Sequence, residues 1–169
     1  MLLAALLGSI PASACPKEGE NFANARIEDA DDHGLELKSL KGKPFVIVYD
    51  DRASAPTSES FRKELLKVTK SAPYRSVSVI LTANVGPYNY WPVKGVVKDA
   101  VRDASKKQGT TVYCDWTGDL RSAYHFKDGL SNVVVVGKDG HVAFASEGVP
   151  SGADQKRFFE ALRVQVEGG

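Results

Sequence analysis

The continuous apolar run Phe45-Val46-Ile47-Val48-Tyr49 constrains this chain more than any other segment. It is rich in β-branched residues and has no polar alternation, the pattern of a strand covered on both faces. Such a strand belongs in the middle of a parallel or mixed sheet flanked by helices. The sequence that follows supplies them. Ser58 to Lys70 carries Phe61, Leu65 and Val68 at helical spacing with charges between, and Ser54 or Thr57 is placed to cap it. Val77 to Leu81 reads as the next strand. Val93, Val97, Val101 and Ala104 then line one face of a second helix, opposed by Lys94, Lys98, Arg102 and Lys106.

Thr110 to Cys114 forms a third strand, and Asp115-Trp116-Thr117-Gly118 turns the chain into a short segment from Asp119 to Phe126. Two further strands, Val133–Val136 and His141–Ala145, flank Gly137-Lys138-Asp139-Gly140, whose Asp-Gly pair suits the positive φ angles of a tight antiparallel turn. Phe158, Ala161 and Leu162 set an apolar stripe on a last helix. Before the central run, Asn24 to Gly34 is polar, carries Glu28-Asp29-Ala30-Asp31-Asp32, and reads as a solvated lead-in.

The 169 residues suit one domain, and 43% hydrophobic with 25% charged residues is enough for a normal interior. Lys plus Arg number 22 against 21 Asp plus Glu, so no broad positive field exists to attract nucleic acid. Met1 to Ala14 is an apolar stretch ending in Pro-Ala-Ser-Ala, an A-x-A cleavage site, and reads as a signal peptide with a single domain over residues 15–169. No Lys or Arg precedes the apolar stretch. It is too short to span a bilayer, which takes about 20 apolar residues, so the mature chain is expected without a transmembrane segment, periplasmic or secreted. The alternative for this stretch is a buried N-terminal helix.

Cleavage would leave Cys15 at the new terminus, a position that resembles the lipoprotein signal, although Ala12 stands where that signal prefers a large aliphatic residue. A lipid anchor at Cys15, a bridge from Cys15 to Cys114 and free thiols all stay open.

The stretch Ile27 to Tyr49, with Asp31-Asp32-His33-Gly34, Leu37, Leu40 and Lys41-Gly42-Lys43-Pro44 before the apolar strand, resembles the opening segment of the peroxiredoxin (AhpC/TSA) and TlpA-like thioredoxin families. Asp115-Trp116-Thr117-Gly118, Ala123-Tyr124, Gly129-Leu130, the valine run and Lys138-Asp139-Gly140-His141-Val142 are similar to the final strands of the same families. The strand-to-helix junction is also similar to that of the periplasmic YtfJ family. The resemblance implies an α/β thioredoxin-like fold of three layers, a mixed central sheet with helices on both faces and a C-terminal β-hairpin plus helix.

In the redox members the reactive cysteine sits where the first long strand meets the first long helix, because free N–H groups and the helix dipole hold a thiolate there. Here that junction reads Asp50-Asp51-Arg52-Ala53-Ser54-Ala55-Pro56-Thr57. Ser54 and Thr57 occupy the two positions of the Cys-x-Pro-Cys pattern, and Ala55 takes the peroxidatic position. Ser131 stands where these families carry a cis-proline. The resemblance therefore implies a redox-inactive module that binds an envelope protein or peptide partner and calls for no cofactor. The alternative is a thiol oxidoreductase or peroxidase acting through Cys114, although a lone cysteine in a mostly apolar strand is more often a small buried hydrophobe.

Arg52 is a candidate anion ligand unless Asp50 or Asp51 pairs with it. Tyr88, Tyr90 and Trp91 stand among turn formers after a strand, either packed over the sheet edge or exposed as a binding platform facing Arg52 across one crevice. His33, His125 and His141 share no metal-like spacing.

Overall fold

The computed structural model describes residues 15–167. The signal peptide expected over Met1–Ala14 lies outside the described residues. In chain order the elements are β1 (Arg26–Glu28), β2 (Gly34–Glu36), β3 (Phe45–Asp50), α1 (Glu59–Thr69), β4 (Ser78–Asn84), α2 (Val93–Gln108), β5 (Val112–Asp115), α3 (Asp119–Tyr124), β6 (Asn132–Val136), β7 (Val142–Glu147) and α4 (Gly152–Glu167). Within the described residues they build one seven-stranded sheet in the order β2-β1-β5-β4-β3-β6-β7. β3, β4 and β5 are mutually parallel; β6 and β7 run antiparallel at one side, β1 and β2 at the other.

The central apolar run is β3, and period-two alternation divides it between two cores. Phe45, Ile47 and Tyr49 pack with Ile80 of β4 and with Leu120 and Tyr124 of α3. Val46 and Val48 face the other way, onto Phe61 and Leu65 of α1 and Phe158 and Leu162 of α4. Helices thus cover both faces, and a β-hairpin plus helix closes the chain, as expected. A third cluster joins Val101 of α2 to Val85, Cys114 and Trp116. α2 ends at Gly109, whose φ of +66° lets its N–H return to the carbonyls of Ser105 and Lys106. In the hairpin, Gly140 takes φ +82° and Asp139 does not.

One expectation is corrected. The Asn24–Gly34 stretch is no solvated lead-in. It contains β1, whose Ile27 is buried and whose Glu28 pairs with Cys114 across the sheet. Its acidic residues dock on α2, with Lys98 Nζ at 2.6 Å from Asp32 Oδ1 and Arg102 Nη2 at 2.7 Å from Asp31 Oδ1. Of the alternatives left open for the cysteines, a bridge between Cys15 and Cys114 is not formed: the two side chains pack in different clusters. No described helix is long and apolar enough to cross a membrane.

Candidate functional site

Parallel strands present ligand crevices beyond their carboxyl ends, and β3, β4 and β5 end together here. β3 delivers Asp50 to that edge in a buried position. Arg62, one turn into α1, reaches back so that its Nη1 lies 2.6 Å from Asp50 Oδ2. Ser58 Oγ donates to the same oxygen at 2.7 Å, and Ser131 Oγ donates to Oδ1. Ser54 Oγ lies 3.4 Å from Oδ1. One carboxylate is therefore surrounded by a guanidinium and three hydroxyls, which satisfies a buried charge. No His or Lys joins these hydrogen bonds among the described residues, and the acceptor of the serine hydroxyls is the Asp50 carboxylate, itself paired with Arg62.

The hydroxyls expected to cap α1 act otherwise. Thr57 Oγ1 donates to the Ser54 carbonyl at 2.7 Å, and the residue preceding α1, Ser58, makes no side-chain cap. Asp51 does the capping of this turn: its Oδ1 accepts from the N–H groups of Ala53 and Ser54, and its Oδ2 from that of Gly129. Burial pushes the Asp51 carboxyl up, but these hydrogen bonds outweigh it, leading with that from Gly129, and hold it below the ordinary carboxylate value. With Asp50 and Asp51 both engaged, Arg52 pairs with neither. It is exposed and makes no hydrogen bond or ion pair among the described residues.

Two cavities meet at Arg52. A polar cleft of about 560 Å³ is bordered by Arg52, Asn84, Tyr88, Trp116 and Arg121. An apolar groove of about 640 Å³ runs between α1 and α2 over Leu81 and Val112, with Arg52 and Tyr88 again in its lining. Arg52 and Tyr88 thus line both cavities. Tyr90 and Trp91 do not join them; they stand 57% and 90% exposed outside both cavities. Asn89 Nδ2 anchors this loop to the Trp116 carbonyl at 3.2 Å, and Lys94 Nζ lies 4.7 Å from the centre of the Trp116 ring.

Cys114 is 0% exposed. Burial, more than any neighbouring charge, pushes its thiol from 9.0 up to about 12. Among the neighbouring charges, Lys98 and Lys94 pull the thiol down and Asp29 and Glu28 push it up. Cys15 is likewise buried, and its thiol is pushed up to about 12 by burial and then by Glu147.

Sequence reasoning missed the Asp50, Ser58, Arg62 and Ser131 cluster. Part of its signal was present, since an Asp closing an apolar strand precedes a helix with Ser58 and Arg62 four residues apart. Ser131 is remote in sequence, and its one signal was its place at the position where the resembled families carry a cis-proline.

No protein-family model matches the chain, and no curated protein matches it. Among solved structures, it is similar to a thiol:disulfide interchange protein of the thioredoxin family from Chlorobium tepidum, at 16% identity and a TM-score of 0.62, covering 89% of this chain and 99% of that one. A peroxiredoxin-like protein from Aquifex aeolicus superposes with a TM-score of 0.62 at 16% identity, over 87% and 88% of the two chains. The exposed lipoprotein thioredoxin Etrx1 of Streptococcus pneumoniae does so at 0.61 and 15% identity, over 83% and 98%.

Proposed function

Because the chain has a thioredoxin-like fold with no thiol at the site where that fold does its redox chemistry, we propose that it is a non-catalytic binding or interaction module of the bacterial envelope. The observation that carries this reading is the occupant of the site. A buried Asp50 held by Arg62, Ser58 and Ser131 lies under the helix N-terminus, and Ser54, Ala55 and Thr57 replace the reactive cysteine. A serine hydroxyl does not exchange with disulfides, because that exchange needs a thiolate. The two crevices left beside this occupied corner, with Arg52 and Tyr88 between them, are the surfaces a ligand would use.

Export is supported by the signal-like Met1–Ala14 stretch and by likeness to an exposed lipoprotein. Within this proposal, kinship to the periplasmic YtfJ family is supported by the similarity of the strand-to-helix junction. A lipid anchor at Cys15 finds little support, because that side chain is packed into the core. The thiol-enzyme alternative needs Cys114 exposed and acidified, and it is buried with its thiol pushed up.

Labelling with a thiol reagent at neutral pH tests the reading. Both cysteines are expected to react slowly until denaturant is added. Fast native labelling of Cys114, with peroxide or disulfide turnover that disappears in Cys114→Ser, would overturn it.

A further inference from the structure

A helix packed on a sheet ordinarily buries its apolar stripe, yet α2 fully buries only Val101. Val93, Val97, Ala100 and Ala104 line the groove of about 640 Å³, and Val96, 70% exposed, forms its rim. That volume lies within the range of roughly 300–1,000 Å³ typical of small-molecule sites. The walls along α2 are aliphatic, so an occupant carrying backbone amides would leave them unpaired against Val and Ala. A hydrocarbon chain meets no such penalty.

The charged groups of the lining, Asp50, Asp51, Arg52 and Arg62, gather at the carboxyl end of β3. Asp50 and Arg62 neutralise each other at 2.6 Å, and Asp51 is held by three backbone N–H groups. Arg52 alone is left without a partner among the described residues, and it borders both the groove and the polar cleft. An unpaired guanidinium at the mouth of an aliphatic groove complements one kind of molecule: an anionic head on an apolar chain.

We propose that this groove binds a single-chain amphiphile, a long-chain carboxylate, with the chain lying along α2 and the carboxylate on Arg52 at the edge of the polar cleft. This deepens the binding-module reading and rests on it.

The purified protein, titrated with octanoate, decanoate, dodecanoate and tetradecanoate below their micellar concentrations and followed by displacement of dansylaminoundecanoate, tests the proposal. Affinity is expected to rise about fourfold per added methylene until the groove is full. Dodecanol should bind about tenfold more weakly than dodecanoate, and Arg52→Met should erase that difference. Ala100→Trp, which fills the groove from an exposed helix position, and Val96→Glu, which puts a charge on its rim, should each abolish binding while the far-UV spectrum stays folded.

Absence of saturable binding, affinity independent of chain length, or a carboxylate preference that survives Arg52→Met overturns the proposal. So does loss of binding in Tyr90→Ala with Trp91→Ala, which would move the ligand to the exposed aromatic patch. Failure here with unreactive cysteines leaves the binding-module reading standing, whereas fast native labelling of Cys114 removes that reading whatever the titration shows.

Discussion

Asp50 closes an apolar strand as a buried carboxylate, and its environment explains why it is tolerated there. The Arg62 guanidinium, Ser58 and Ser131 supply the hydrogen bonds that water would otherwise provide. Taking one partner from a buried pair leaves an uncompensated charge, whereas replacing both with apolar groups of similar volume often does no harm. Arg62→Met is therefore expected to destabilise the fold by about 3 kcal/mol, read as a lower urea midpoint. The double change Asp50→Leu with Arg62→Met should recover most of that loss. A single variant as stable as the parent would show that Arg62 does not compensate Asp50.

Short elements carry more of this fold than their length suggests. β1 has three residues and one apolar side chain, so it offers no period-two pattern to recognise. It nevertheless links β2 to β5 and buries Ile27 against the core cluster under α3. Ile27→Ala should lower stability by about 2–4 kcal/mol in denaturant unfolding, the cost of emptying a packed site. A change near zero would return the segment to a solvated lead-in. α2 is the reverse case: its sequence stripe is long and regular, yet the tertiary structure leaves much of it open as a groove wall.

Across the whole molecule, burial sets the response to alkali. Cys15 and Cys114 are both pushed from 9.0 up to about 12, and burial also raises Tyr49 and Tyr124 above their ordinary 10.0. The folded chain holds these protons more tightly than the unfolded chain. Their contribution is complete below pH 9, where both states are protonated, and is lost as pH rises toward 12 and the unfolded chain alone ionises. The urea midpoint should therefore fall over that window. In Cys15→Ala with Cys114→Ala the fall should begin later, near pH 10, where the tyrosines take over. An unchanged onset would contradict the burial of the thiols.

What the sequence determined by itself was the architecture. The run at Phe45–Tyr49, the helical stripes and the hairpin turn are local patterns, and local patterns report which face of an element is apolar. The absence of a thiol at the strand-to-helix junction was equally legible, since it needs only the residues at Ser54, Ala55 and Thr57. Contacts between distant segments were not legible. Ser131 meets Asp50 across 81 positions, Gly129 caps Asp51 across 78, and Asp31 and Asp32 bind α2 across 71 and 66. Pairings at such separation leave no periodic trace. Only the tertiary structure engaged Asp50 and Asp51, and by doing so it left Arg52 unpaired at the mouth of the groove.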